Sequence, residues 1–268
     1  MKLGLSSYTF TWAVGVKGMP TGNTLTVYDL IDRTAAHELE ILQIADNITP
    51  GKLSDYDLEE IRRYAHKKGI MLELGGRGLT PGHTMQCLAA AERLNSGILR
   101  MVIDDAGFEP DIYSVISIIR ELVPELKSRN IKLAIENHDR FKAREFEMII
   151  QSVGSEMAGI CLDSVNSMGA GEGFETVSEI LIPYTINLHI KDFSITRVPS
   201  KMGFIIEGRP AGKGMLNIHE LLGKISATGL CQSAIIELWT PPEKSIEETV
   251  IKEEKWAEES IQYLKSLF

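Results

Sequence analysis

Short apolar runs alternate with longer stretches of helical period along the whole chain. A brief apolar run bounded by turn residues reads as a buried strand. Apolar positions recurring three and four residues apart read as a helix. By that rule KLGLSSY (2–8), LEILQIAD (39–46), IMLELGG (70–76), ILRMVID (98–104), IKLAIEN (131–137), AGICLD (158–163), TINLHIKD (185–192) and QSAIIEL (232–238) are predicted strands. Helices are predicted over 28–37, 54–68, 80–94, 110–129, 142–153, 173–181, 217–228 and 246–267. Ser54 is placed to cap the second of these, with Asp55, Asp57 and Glu59 near its positive end. The last is rich in Glu and Lys on its expected solvent face.

Eight strand-then-helix units within 268 residues predict a single-domain (β/α)8 TIM barrel over 1–268. A doubly wound open sheet is the rival α/β reading. It wants a Gly-rich phosphate turn after the first strand, and the loop over 9–23 has Gly15, Gly18 and Gly22 but no GxGxxG. The segment over 193–216 is too long for a plain loop and predicts a hairpin or lid. Its apolar stretch from Met202 to Gly208 is expected to close over a substrate or to pack on a partner subunit. Phe10 and Trp12 are candidates for an apolar wall, although mutual packing of loops is the plainer reading of Trp12.

Composition narrows the partners. The net charge of −9 argues against nucleic acid, which needs a basic face. No apolar run is long enough to span a membrane, and the N-terminus reads as a strand and not a signal peptide. Three widely spaced cysteines, Cys87, Cys161 and Cys231, form no CxxC pattern and fit free thiols in a reducing cytoplasm.

In a barrel the active site lies at the C-terminal ends of the strands. The fifth predicted strand ends in Glu136, the sixth in Asp163, the seventh carries His189 and the eighth Glu237. A carboxylate inside an apolar run such as AIIELW is costly to bury without a cation. Any one of the four residues is as well explained by a salt bridge or a core hydrogen bond. Acidic or imidazole groups at one level of four consecutive strands point to one shared divalent ion. Such a donor set suits Mn²⁺, Mg²⁺, Co²⁺ or Zn²⁺, with Mn²⁺ the leading expectation.

Five short segments carry a family resemblance: Ala134-Ile135-Glu136-Asn137-His138, Leu162-Asp163, Leu188-His189-Ile190-Lys191-Asp192, Gly212-Lys213-Gly214 and Ile236-Glu237. In order, spacing and strand placement the chain resembles the xylose isomerase-like TIM barrel superfamily of sugar isomerases, epimerases and related lyases. The resemblance implies that Glu136, Asp163, His189 and Glu237 bind one divalent metal. It also implies that Glu136 and Glu237 serve as catalytic acid–base groups. The chain departs from the group's ketose 3-epimerases, which carry a substrate-binding His three residues after the metal-ligand Asp. Asn166 stands there, and an amide cannot titrate near neutral pH.

The expected substrate is a small keto-sugar, sugar acid or sugar phosphate, activated through an enediolate by a Lewis-acidic metal. Isomerisation or epimerisation is the first expectation. Decarboxylation of a 3-oxo sugar acid, or dehydration, is the alternative on the same scaffold. Cations bear on the choice. Arg77 follows the third strand, Lys191 follows His189, and Arg197, Arg209 and Lys213 lie in the long segment. Together they suggest an anionic substrate, Arg being suited to a bidentate clamp, with surface ion pairing as the bland reading. His138, Asn166, Lys191, Arg77, Arg197 and Asn47 are the candidate substrate-binding residues. His37, His66, His83 and His219 fall on helices and have no assigned role. With six histidines the chain is poor in ligands for a metal cluster of the endonuclease IV kind. A ligand-binding barrel without catalysis is disfavoured by the intact quartet. Assembly into a homo-oligomer stays open.

Overall fold

The computed structural model describes residues 1–19, 22 and 24–268. Pro20, Thr21 and Asn23, part of the predicted loop over 9–23, lie outside the described residues. The strands are β1 (Lys2–Ser6), β2 (Ile41–Ile44), β3 (Met71–Arg77), β4 (Ile98–Val102), β5 (Lys132–Glu136), β6 (Ala158–Asp163), β7 (Thr185–Ile190), β8 (Asp192–Arg197), β9 (Phe204–Arg209) and β10 (Ser233–Ile236). Eight of them close a parallel barrel in the order β1-β10-β7-β6-β5-β4-β3-β2. Around it run α1 (Thr11–Val14), α2 (Val27–Ala36), α3 (Asp55–Lys68), α4 (Pro81–Arg93), α5 (Ile112–Arg129), α6 (Ala143–Val153), α7 (Phe174–Leu181), α8 (Ile218–Thr228) and α9 (Ile246–Lys265). This is the single-domain (β/α)8 architecture expected.

Local chemistry sets the helix ends. Thr26 with Asp29, and Ser54 with Asp57, form reciprocal capping boxes at the starts of α2 and α3. Gly69, Gly154 and Gly229 take left-handed conformations that stop α3, α6 and α8. The amphipathic helices then bury their apolar stripes against the barrel wall, as Phe146, Ile149 and Ile150 of α6 do. The glutamates of α9 are exposed or half-buried on its solvent side, as predicted, except Glu253, which is fully buried with Ala257, Ile261 and Leu264.

Strand register sets the level of the candidate site. Glu136 pairs with Cys161 and Asp163 with His189, while Ile190 pairs with Ile236. The eighth barrel strand is shorter than predicted. Its ladder ends at Ile236, and Glu237 is the first residue beyond, its N–H donating to the Ile190 carbonyl at 3.1 Å.

The segment after β7 forms the expected hairpin: β8 pairs antiparallel with β9 from Asp192↔Arg209 to Arg197↔Phe204. Asp192 ties its return to the barrel. Its Oδ2 accepts the N–H groups of Gly212 and Gly214, each at 2.9 Å, and its Oδ1 that of Leu216 at 3.0 Å. A Cβ on Gly214 would lie 2.1 Å from Asp192 Oδ1, so only glycine allows this approach. No helix among the described residues is long and apolar enough to cross a membrane.

Candidate active site

Four strands bring one residue each to the C-terminal mouth of the barrel. Glu136, Asp163, His189 and Glu237 are all buried. His189 Nδ1 lies 3.8 Å from Glu136 Oε2, 3.8 Å from Asp163 Oδ2 and 3.5 Å from Glu237 Oε2. These gaps are too long for hydrogen bonds. His189 Nδ1 and Glu237 Oε1 are buried without a hydrogen-bond partner among the described residues, and Glu136 Oε2 and Asp163 Oδ2 meet only the cationic side chains of Arg100 and Lys191. Orphaned groups of this kind are costly unless something else satisfies them. Three carboxylates and an imidazole converging in this way fit a divalent cation.

The imidazole is oriented from below. His189 Nε2 lies 2.8 Å from Gln43 Oε1. The Gln43 amide nitrogen donates to Glu73 Oε2 at 3.1 Å and to Asn187 Oδ1 at 3.3 Å, which leaves its oxygen to accept from His189. Asn187 in turn donates to Glu73 Oε2 and Ser233 Oγ. This polar floor fills the barrel interior beneath the quartet. Burial pushes the Glu73 carboxyl up, against the opposing pull of Ser233, Gln43 and Asn187.

Two protein cations touch the cluster. Lys191 Nζ sits 2.7 Å from Asp163 Oδ2 and 2.9 Å from Glu237 Oε2. Burial works against its charge, but Asp163, Glu237 and Glu136 outweigh it and hold the ammonium well above its ordinary pKa. Glu237 is displaced the other way. Burial opposes its ionisation, and the nearby His189, Lys191 and Arg100 overcome that and keep it below the usual carboxylate range. Arg100, inside β4 and almost wholly buried, places Nε 3.1 Å from Glu136 Oε2 and NH1 3.1 Å from Asp46 Oδ1. Gly75 makes room for it: a Cβ there would stand 2.9 Å from the guanidinium carbon.

A cavity of about 670 Å³ opens above this cluster. Its charged lining comprises Arg77, Arg100, Lys191, Asp46, Glu136, Asp139 and Glu237, with His138 and Asn166 at the rim of the quartet. Trp12, Trp239, Pro241, Pro242 and Ile206 supply an apolar wall. Asn166 Nδ2 donates to Glu136 Oε1 at 2.7 Å. Arg77 NH2 reaches His138 Nε2 at 3.3 Å, and His138 Nδ1 meets Asp139 Oδ1 at 2.6 Å. Tyr8 donates its hydroxyl to Asp46 Oδ2 at 3.0 Å, and burial together with Asp46 pushes the phenol up.

The cavity gathers Glu136, Glu237, His138, Asn166, Lys191 and Arg77, with Asp163 and His189 directly beneath. It does not gather the rest of the sequence-derived set. Arg197 lies on the exposed hairpin, stacked 4.4 Å from the Phe204 ring and donating to the Lys201 carbonyl at 2.9 Å. Arg209 pairs with Glu207 on the same hairpin, and Lys213 is exposed. Asn47 turns back to the first loop, accepting from Ser7 Oγ at 2.5 Å and donating to the Ser7 carbonyl. Phe10 is buried in the core under Arg33 and is no part of the wall. Trp12 both lines the cavity and packs on a neighbouring loop, its Nε1 donating to the Thr240 carbonyl at 2.9 Å. Arg100, Gln43, Asp46 and Tyr8 are site residues that the sequence reading did not single out. A charged residue in the middle of ILRMVID is the same signal that exposed Glu237 in AIIELW.

Comparison with known proteins agrees with this architecture. The family model for the xylose isomerase-like TIM barrel matches residues 31–267. A 3-oxo-isoapionate decarboxylase from Pectobacterium atrosepticum is 32% identical over 264 residues, covering 98% of this chain and 95% of that protein. A D-psicose 3-epimerase from Clostridium cellulolyticum, solved with D-tagatose, superposes with a TM-score of 0.74 at 15% identity, covering 100% of this chain and 98% of the other. A xylose isomerase-like TIM barrel protein from Mycobacterium smegmatis, solved in complex with magnesium, gives a TM-score of 0.70 at 14% identity, covering 97% of each chain.

Proposed function

For this chain, which belongs to the xylose isomerase-like TIM barrel family, we propose a divalent-metal-dependent carboxy-lyase activity that removes CO₂ from a small 3-oxo sugar acid. The observation that carries the choice is the engagement of Glu136. Its Oε1 accepts from Asn166, and its Oε2 faces Arg100 at 3.1 Å and the metal position. Epimerisation at a C–H carbon needs a free base on each face of that carbon. Both oxygens of Glu136 are engaged, which favours a reaction that does not call on it as a base. Decarboxylation needs no C–H base. It needs a place for a carboxylate and a proton donor, and Arg77 and Lys191 both line the cavity of an otherwise acidic chain. The relative at 32% identity is a decarboxylase of a 3-oxo acid by name.

Glu136, Asp163, His189 and Glu237 would hold the metal, with Mn²⁺ first among the ions that suit this donor set. When bound, the metal supplies Lewis acidity to the substrate's oxygens. Arg77, steadied by Asp46 and His138, grips the carboxylate. The C–C bond to that carboxylate breaks and CO₂ leaves. The electron pair passes to the 3-oxo group, giving an enolate. With the metal bound, Asp163 and Glu237 would hold the Lys191 ammonium less tightly, and Lys191 then delivers a proton to carbon; the product is a ketose one carbon shorter. Asn166 donates to a substrate hydroxyl. The three buried, unpaired cysteines support a reducing cytoplasm as the place of reaction.

A second reading, epimerisation, is favoured by Glu136 and Glu237 bordering one cavity from opposite sides of Asp163 and His189 in the strand order. One experiment separates the two. The Mn²⁺-loaded protein is incubated with 3-oxo sugar acids in deuterated water, with CO₂ and isotope content both followed. Stoichiometric CO₂ release with one deuteron in the ketose is expected. Deuterium entering an intact acid or ketose without CO₂ overturns the lyase reading in favour of epimerisation.

A further inference from the structure

Glu253 lies on α9, outside the barrel, and the chemistry above makes no use of it. It is fully buried. Its Oε1 accepts the N–H of Trp12 and its Oε2 that of Ala13, both at 3.0 Å. These N–H groups begin α1, whose own N-cap, Phe10, supplies no side-chain hydrogen bond. A carboxylate from another helix therefore does the capping. The link to the cavity is one residue long. Trp12 lines it, and the Trp12 ring bonds the carbonyl of Thr240 on the far side of the same wall.

Among the described residues no cation forms a salt bridge with this carboxylate. Arg33 of α2 lowers its pKa, but the Arg33 guanidinium stacks 4.9 Å from the Phe10 ring and pairs with Glu254. On α9, Lys252 turns to Glu243 and the Pro241 carbonyl. In the turn before α1, the Tyr8 hydroxyl is spent on Asp46. A buried carboxylate held by two backbone N–H groups is costly to keep, so its position under the cavity wall calls for a use.

We propose that Glu253 is a positioning residue that clamps the Trp12 wall of the cavity, closed when its carboxylate is ionised and loosened when it is protonated. It acts through the backbone and touches no substrate. The ionised group accepts both N–H bonds at once. The neutral acid carries a hydroxyl proton on one oxygen and holds only one of them well. Burial pushes this carboxyl up to about 7, against the pull of the Trp12 and Ala13 N–H groups and of Arg33, with Glu254 adding to the rise. The wall therefore tightens as pH rises through neutrality and loosens as it falls.

The clamp relies on the proposed function only for the location of the cavity, and its test does not depend on turnover. Trp239→Phe and Trp256→Phe leave Trp12 as the single tryptophan of the full-length, Mn²⁺-loaded protein. Acrylamide quenching of Trp12 is then followed through neutral pH. A step in quenching with a midpoint near 7 is expected, with greater access on the acid side, and Glu253→Gln abolishes the step. In the wild-type protein, amide exchange at Trp12 and Ala13, corrected for intrinsic rate, gives a second reading that needs no variant. It should lose protection below the same midpoint. A quenching step that persists in Glu253→Gln, or protection at these amides that is flat across the range, overturns the clamp. Absence of decarboxylase activity with an intact step leaves the clamp standing and removes only the reaction.

Discussion

Gln43 Oε1 and His189 Nε2 lie 2.8 Å apart, and that contact decides which imidazole nitrogen faces the carboxylates. With Nε2–H donating downward, the Nδ1 lone pair points at Glu136, Asp163 and Glu237. Three anions and a lone pair directed at one point repel unless a cation sits among them. Gln43 would then belong to the proposed metal site although it touches no metal position. Gln43→Leu keeps the volume and removes the acceptor. Mn²⁺ affinity measured by calorimetry is expected to fall about 10- to 100-fold. An unchanged affinity removes Gln43 from this role.

Arg100 is the second support. Its guanidinium is shared by Glu136 and Asp46, and replacing it by methionine takes a buried counter-charge from both, leaving Asp46 with Arg77 and Tyr8 and Glu136 with Asn166. Breaking a buried pair from one side costs on the order of 3–5 kcal/mol. Urea unfolding of metal-free Arg100→Met should show a loss of that size. Mn²⁺ should restore part of it, because the ion recovers one of the lost charges on Glu136. A loss below about 1 kcal/mol, as for an exposed pair, contradicts the reading of Arg100 as the counter-charge of the site.

Glu73 titrates in the opposite sense to a salt-bridged acid. Burial raises its folded pKa above the unfolded value. Between those two values the folded state holds a proton that the unfolded state has released, so stability falls as pH rises through that window. Glu73→Gln keeps the hydrogen bonds to Gln43 and Asn187 without the charge. The variant is expected to be more stable than the wild type at neutral pH, and thermal melts across pH should show this slope removed. Equal slopes in the two proteins contradict the assignment.

The barrel was readable because each of its strands is a compact apolar run and the longer helices carry their own stripes, several with their own caps. Ser54 and Gly69 bracket α3 in sequence as they do in space. The clustering of Glu136, Asp163, His189 and Glu237 was readable for a related reason. Glu237 and His189 break apolar runs near the strand ends, and the barrel brings them into one cluster although register pairs His189 with Ile235 and with Asp163. What lies between elements was harder to read. Arg197 and Asn47 occupy promising sequence positions. The hairpin stacks Arg197 on Phe204, and the first loop recruits Asn47 to Ser7, by contacts that no periodicity encodes. Glu253 was hidden among the charged residues of α9, where its burial depends on a loop about 240 residues away.

The quartet has two claimants for its compensating charge: a divalent ion, and the Lys191 ammonium already 2.7 Å from Asp163. An anomalous-scattering map from crystals grown with Mn²⁺ distinguishes them. The account predicts one peak per chain, about 2.2 Å from Glu136, Asp163, His189 Nδ1 and Glu237, with the Lys191 amine displaced toward the cavity. A map with no peak among these four side chains, and Lys191 still bridging Asp163 and Glu237, would contradict it.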